Sequence, residues 1–255
     1  MPDLAGKVAI VTGCASGIGA ATVRRLRADR AEVLGTDINE EAGAALCDEV
    51  GARFTAQDVA DTVLWPVVIA EAVGAWGRLD ILVNNAGTVS GLSIEDVTDD
   101  AWERIYAINI TGTMAGCRAA IKAMKDNPGG SCGSIINISS TSAIGALPSD
   151  VAYCSSKGAV RVLTKSIATH CAKAGYNIRC NTVIPGATDT GILDHAETVT
   201  PGLKKAVAAT SPLNRLADPA ETAAAIAFCA SDECAYMTGS ELLVDGAMMA
   251  IHPGF

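Results

Sequence analysis

The sequence predicts an α/β fold: one doubly wound parallel sheet with helices on both faces. Three observations lead there. Short apolar runs alternate with helix-patterned stretches from one end of the chain to the other. The first apolar run passes through a glycine turn directly into a helix. Acidic, amide and glycine residues stand just after the apolar runs, at the strand ends where open α/β sheets bind their ligands. No repeat, low-complexity tract or linker interrupts the pattern, so residues 1–255 read as one domain.

Lys7–Thr12 reads as a buried strand, followed by Gly13-Cys-Ala-Ser-Gly-Ile-Gly19 and a helical stretch, Ala20–Arg27. A strand, a glycine turn and a helix N-terminus form a ready phosphate site, because backbone N–H groups and the helix dipole both favour an anion. Gly13, Ser16, Gly17, Ile18 and Gly19 are its candidate contacts. The spacing is not the common GxGxxG, and the same turn also suits close strand–helix packing alone. The second strand, Glu32–Thr36, ends at Asp37. A carboxylate there accepts the hydroxyls of an adenosine ribose and repels a 2′-phosphate. No basic residue occupies Cys14–Ile18 or Ile38–Asn39, which selects NAD over NADP.

Glu40–Val50 reads as a helix and Arg53–Ala56 as a strand, which leads to Asp58-Val59. Asp61–Trp76 is the next helix, with Pro66 admissible only in its first turn. The strand Leu79–Val83 is closed by Asn84-Asn85-Ala86-Gly87, whose small and amide residues suit close approach to a flat cofactor. Asp99–Met124 reads as one long helix with Asn109 inside it. An interior Asn competes for backbone hydrogen bonds, so Asn109 marks a bend or a functional site. The strand Ser134–Ile138 leads to Ser140, and a helix runs from Ala152 toward Lys173. Tyr153 and Lys157 lie one turn apart on it, at i and i+4. An ammonium beside a phenol favours the phenolate, and a tyrosine tuned this way accepts a proton from an alcohol. Asn177–Ile184 is a strand that runs into Pro185-Gly186. Residues 187–216 follow no regular pattern and hold the apolar anchors Ile192, Leu193, Leu203 and Val207, as a lid over a substrate would. Pro219–Ala230 is helical with Asp218 as N-cap, and Glu241–Val244 is the last strand, followed by an apolar tail, 247–255.

Composition excludes several classes. A net charge of -9 gives no nucleic-acid footprint. The nine cysteines and three histidines show no metal-ligand spacing, so the thiols are expected reduced and no metal is expected. No apolar run is long enough to cross a membrane and no leader is visible, so the expected location is the cytoplasm.

Taken together, these residues resemble the short-chain dehydrogenase/reductase family along essentially the whole chain. Thr12–Gly19 is similar to its TGxxxGxG motif, Asn84–Gly87 to NNAG, and Pro185-Gly-Ala-Thr-Asp-Thr190 to PGxxxT. Asn109, Ser140, Tyr153 and Lys157 match its catalytic tetrad. The resemblance implies a Rossmann-like sheet of seven strands and hydride transfer between a nicotinamide and a secondary alcohol or ketone. Tyr153 would act as general acid/base, Lys157 would lower its pKa and hold the nicotinamide ribose, Ser140 would polarise the substrate oxygen, and Asn109 would position a water. Asp58 and Val59 would meet the adenine, Asn85, Ala86 and Gly87 the body of the cofactor, and Pro185, Gly186, Thr188 and Thr190 the nicotinamide carboxamide. It also implies a homo-oligomer, tetramer or dimer, paired through the helices that carry Asn109 and Tyr153. Arg30 and Ala247 stand where the family commonly has glycine.

For substrate, Ser140, Ser142, Leu147, Tyr153 and Ile192 are the candidate contacts. No cluster of Arg or Lys accompanies them, which favours an apolar secondary alcohol or ketone. Cys171–Arg179 and Gly239–Asp245 resemble segments of bacterial hydroxysteroid and cyclic-alcohol dehydrogenases. Two alternatives stay open: a ketone reductase acting on a carrier-bound acyl chain, against which Asp37 speaks, and an NAD-sensing protein without catalysis.

Overall fold

In the computed structural model, which describes residues 2–251, seven parallel strands form one sheet in the order β3-β2-β1-β4-β5-β6-β7. The side chains of Ile192, His195, Ala196 and Val199, and the tail 252–255, lie outside the described residues. The strands are β1 (Val8–Thr12), β2 (Glu32–Asp37), β3 (Arg53–Ala56), β4 (Ile81–Asn84), β5 (Gly133–Ile138), β6 (Ile178–Pro185) and β7 (Glu241–Val244). Their order reverses between β1 and β4, which opens a crevice at the carboxyl ends of those two strands.

Both faces of the sheet are covered, so central strands are buried at nearly every position and alternate residues serve opposite cores. On one face Val11, Val33, Val83 and Ile136 pack with Val23 and Leu26 of α1 (Gly17–Ala28) and with a late helix through Ile226. On the other, Ile10, Leu34, Leu82 and Ile135 meet Val68 and Ile69 of α3 (Trp65–Trp76), and Ala120 and Met124 farther along. The α1 helix can pack so close to β1 only because residue 19 is glycine. A Cβ there would stand 1.9 Å from the Gly13 carbonyl oxygen.

Helix starts follow the chemistry of their first residues. Asn39 caps α2 (Glu40–Val50) by accepting from the Ala42 N–H at 3.1 Å. The third helix, α3, begins at Trp65 rather than Asp61, which puts Pro66 in its first turn where no N–H is missed. The expected single helix Asp99–Met124 is divided in three: α4 (Asp99–Tyr106), a π-helical turn over Ala107–Gly112, and α5 (Thr113–Lys125). After β5 the chain makes a 3₁₀ turn, Thr141–Ala143, then enters α6 (Val151–Lys173). The stretch 187–216 is not irregular as expected. It holds α7 (Gly191–Val199) and α8 (Leu203–Ala208), and its two prolines, Pro201 and Pro212, fall outside these helices and bound them. Asp218 and Glu221 form a reciprocal capping box at the start of α9 (Pro219–Ala230). Among the described residues no helix is long and apolar enough to cross a membrane.

Arg30 closes the turn after α1 at φ 74° and Ala247 follows β7 at φ 68°. A side chain in that left-handed region costs on the order of 1 kcal/mol relative to glycine. The Arg30 guanidinium reaches only an exposed partner, Asp3, and such pairs contribute little. Arg30→Gly is therefore expected to stabilise the protein, with a gain in melting temperature of about 2–4 °C. Thermal unfolding of the two proteins checks this, and a lower melting temperature would show that the Asp3 pair outweighs the backbone strain.

Candidate active site

The crevice at the strand ends is a cavity of about 480 Å³, lined from all five central strand ends and from α7 and α8. Its volume lies in the range of roughly 300–1,000 Å³ usual for ligand and cofactor sites. One wall is the glycine loop: Gly13, Ser16, Gly17 and Ile18 line it. Gly13 and Gly17 take φ 66° and 52°, and a Cβ on Gly17 would come to 3.1 Å from the Thr190 methyl carbon, so the loop and the segment after β6 close in on each other. Asp37 stands at the end of β2. Its carboxylate accepts from the Ala15 N–H and the Asn39 N–H, each at 2.9 Å, so its direction is fixed by the glycine loop itself. Ile38, Asp58 and Val59 line the same end.

The middle of the cavity is backed by Asn85, Ala86 and Gly87. The Thr12 hydroxyl accepts from the N–H groups of Asn85 at 3.1 Å and Ala86 at 3.0 Å, and the Asn85 amide donates to the Thr12 carbonyl at 2.9 Å. These bonds lock the end of β1 to the turn after β4. A Cβ on Gly87 would lie 3.2 Å from both Asn109 Oδ1 and Lys157 Nζ, so a small residue is required where these two groups meet.

At the far end Ser140, Tyr153 and Lys157 converge from the end of β5 and the first turns of α6. Lys157 is buried; its ammonium donates to the Ile138 carbonyl at 2.9 Å and lies 5.7 Å from the centre of the Tyr153 ring. The Ser139 hydroxyl donates to the Lys157 carbonyl at 2.8 Å, a second tie between β5 and α6. Asn109 does not line the cavity. It is buried in the π turn, where Nδ2 donates to the Thr88 carbonyl and the Ser156 hydroxyl at 3.0 Å each, and Oδ1 accepts from the Thr88 N–H at 2.9 Å.

Residues 13–248 match the family model described as enoyl-(acyl carrier protein) reductase, a span that contains every cavity residue named above. The chain belongs to the short-chain dehydrogenase/reductase family. It is 39% identical to a 3-alpha-(or 20-beta)-hydroxysteroid dehydrogenase of Mycobacterium bovis over 97% of this chain and 91% of that protein. It is 38% identical to a trans-4-hydroxycyclohexanecarboxylate dehydrogenase of Sinomonas cyclohexanicum, over 97% and 94%. It is 35% identical to an NADP-dependent (R)-specific alcohol dehydrogenase of Lentilactobacillus kefiri, over 97% and 98%.

The cavity fits the dinucleotide this family uses. Backbone N–H groups and glycines line one wall, a fixed carboxylate stands at one end, and a hydroxyl, a phenol and an ammonium meet at the other. Pro185, Gly186, Thr188 and Thr190 also lie on the wall, as expected. Three expected contacts do not. Gly19 lies beneath the loop, where it makes room for the Gly13 carbonyl. Ser142 and Leu147 are carried outward by the 3₁₀ turn: the Ser142 N–H donates to the Ser140 hydroxyl at 3.1 Å, and Leu147 is exposed. The side chain of Ile192 lies outside the described residues, although its neighbours Gly191 and Leu193 line the cavity. Sequence reasoning missed Gln57, Val89, Ile108 and Arg104, all on the wall. Ile108 adjoins Asn109 and Arg104 precedes it by one helical turn, so the i, i+4 spacing held that signal.

One electrostatic expectation is reversed. Tyr153 is pushed up from its ordinary value rather than down, chiefly by burial, with the charges of Asp150 and Cys154 adding and the Ser140 hydroxyl opposing. Lys157 itself is lowered to about 8 by burial. Its ammonium donates to the Ile138 carbonyl and lies 5.7 Å from the centre of the phenol ring. Between about pH 8 and the ordinary lysine range near 10.5, the unfolded chain therefore binds the proton that the folded chain has lost. Stability gained from Lys157 should rise with pH across that window. Lys157→Met should lack this rise. Urea unfolding of both proteins at pH 7, 8.5 and 10 measures it, and parallel curves would show that Lys157 keeps its proton throughout.

Proposed function

We propose that this protein is an NAD-dependent oxidoreductase that interconverts a secondary alcohol and a ketone, with a hydroxysteroid or other cyclic, largely apolar alcohol as substrate. The observation that carries the proposal is the convergence of Ser140, Tyr153 and Lys157 at one end of a cavity whose other end holds Asp37 and the glycine loop. When bound, the nicotinamide supplies the hydride acceptor or donor. The N–H groups of the Gly13–Gly19 loop hold the phosphates, and Asp37 holds the adenosine ribose. Ile38, Asp58 and Val59 take the adenine end; Pro185, Gly186, Thr188 and Thr190 take the nicotinamide end.

The chain's own groups move the proton. The Ser140 hydroxyl bonds the substrate oxygen and orients it toward Tyr153. The Tyr153 phenol gives its proton to a ketone oxygen, becoming phenolate, and in the reverse direction the phenolate takes the proton from an alcohol. Lys157 holds positive charge behind the phenol as the phenolate forms. Asn109 acts through its bonds to Thr88 and Ser156, which fix the wall beside Lys157. The neighbouring wall is apolar, with Val89, Leu193 and Val207, which suits a hydrocarbon ring better than a charged metabolite. The activities of the hydroxysteroid and hydroxycyclohexanecarboxylate relatives support a cyclic alcohol. We further propose a cytoplasmic homotetramer or dimer paired through the α4–α5 and α6 helices, with no nucleic acid or membrane partner.

A cation on the cavity wall, Arg104, fits a second reading, a ketone reductase acting on a carrier-bound acyl chain, an enzyme type that prefers the phosphorylated cofactor. Calorimetry with both cofactors separates the two. NAD should bind more tightly, and Asp37→Ala should erode that preference; tighter NADP binding to the wild type overturns the cofactor reading. Tyr153→Phe should lower kcat by roughly 10²–10⁴-fold in a screen of steroids, cycloalkanols and aryl alcohols with NAD. Near wild-type turnover in that variant would remove Tyr153 from the chemistry, and silence of the wild type across the screen with tight NAD binding would favour a sensor.

A further inference from the structure

A buried carboxylate that the proposed chemistry does not use stands three residues before Tyr153. Asp150 is 5% exposed, and no Lys, Arg or His pairs with it among the described residues. Its oxygens are engaged instead by the segment after β4 and by the helix it caps. Oδ2 accepts from the N–H groups of Ser90 and Gly91 at 3.0 Å each. Oδ1 accepts from the Ser90 hydroxyl and from the Tyr153 N–H at 3.3 Å. Next to it, the Val151 N–H donates to the Leu92 carbonyl at 3.2 Å. The other end of the same segment is held by Asn109, which exchanges two hydrogen bonds with the Thr88 backbone. Residues 88–92 are thus a strap pinned at both ends by buried side chains, one in the π turn and one at the start of α6. Thr88 and Val89 of the strap line the cavity.

Resting on the reading of Tyr153 as the proton carrier, we propose that Asp150 is a positioning residue: it fixes the strap and the first turn of α6 in a single arrangement, and sets its carboxylate against the helix turn that carries the phenol. A cap alone does not need a charge, since Ser, Thr or Asn serves as well. Four donors shared by two oxygens do need a carboxylate, because an amide offers one acceptor oxygen and turns donors toward the rest. Burial of an anion without a cation is costly unless its hydrogen bonds are complete, as they are here.

The other groups around Tyr153 leave room for this effect. Lys157 and Cys154 are its titratable neighbours on α6. The end of β5 supplies the Ser140 hydroxyl, the strap supplies Thr88 and Val89, and α7 and α8 supply Leu193 and Val207 to the same cavity, none of which titrates near neutral pH; the other charged groups on its wall are Asp37, Asp58 and Arg104. The charge of Asp150 acts in the same direction as burial on the phenol. A site so biased presents a proton donor, as reduction of a ketone requires.

Ultraviolet titration of tyrosinate tests this without turnover, since the difference between wild type and Tyr153→Phe isolates one phenol. In Asp150→Asn that midpoint should fall by about one pH unit, and the pH profile of alcohol oxidation should move with it. Asp150→Glu keeps the charge but displaces it, so kcat should fall several-fold with the midpoint kept. An unmoved midpoint in Asp150→Asn overturns the charge effect, and wild-type kcat in Asp150→Glu overturns the positioning. Should Asp150→Asn fail to fold, Ser90→Ala loosens the strap instead; an unchanged kcat there equally overturns the positioning. Full activity of Tyr153→Phe would overturn the functional reading, while the titration would still decide on Asp150.

Discussion

A lysine ammonium buried between β5 and α6 sets the terms for the rest of the site. A charged group there loses its water, and the loss is tolerable only with an oxygen held in place to receive its protons. Lys157 finds that oxygen on Ile138, the last residue of β5. The requirement runs in both directions: the strand must end at that height, and the helix must begin close enough for a side chain on its second turn to reach back. The Ser139 hydroxyl on the Lys157 carbonyl completes the clasp. Ser140 is then the first residue free of the strand, and Tyr153 stands one turn before Lys157, so both face the same cavity as a consequence of where the charge is satisfied.

The opposite end of the cavity is ordered by a different means. There the glycine loop, Asp37 and Thr12 hold one another by backbone N–H groups and a hydroxyl, with no buried cation. The two ends are joined by the turn after β4, which bonds to Thr12 on one side and leaves the Lys157 ammonium and Asn109 amide just enough space on the other. A ligand that spans them would meet hydrogen-bond donors at its phosphate side, a carboxylate at one end and a phenol at the other. Its orientation is therefore written into the polarity of the walls.

Much of this was legible in the chain itself. Central parallel strands are buried on both faces, so their apolar runs are continuous and their ends sharp, and the residues just beyond each end are the ones that line the cavity. What was not legible depends on geometry finer than that. The outward course of Ser142 and Leu147 follows from a 3₁₀ turn that the run Thr141–Pro148 does not announce. The helices at 191–199 and 203–208 are short, with Pro201 between them and Pro212 beyond, so no long period marks the stretch. The rise in the Tyr153 pKa depends on how deeply the phenol is buried, and spacing along a helix does not say. The role of Asp150 was not legible either, since its four donors come partly from a segment sixty residues away.

The π turn at Ala107–Gly112 has a consequence for how this chain can vary in length. Such a turn holds one residue more than the α-helical one it replaces, and one residue in a helix is a rotation of about 100°. Removal of any single codon between positions 107 and 112 would relax the backbone into a continuous helix. It would also swing either Asn109 away from Thr88, or the Ala120 and Met124 side of α5 away from the sheet. An inherited deletion that a surface loop would absorb unnoticed is closed to this stretch, and the less favourable turn is kept in place by the two faces it must serve at once.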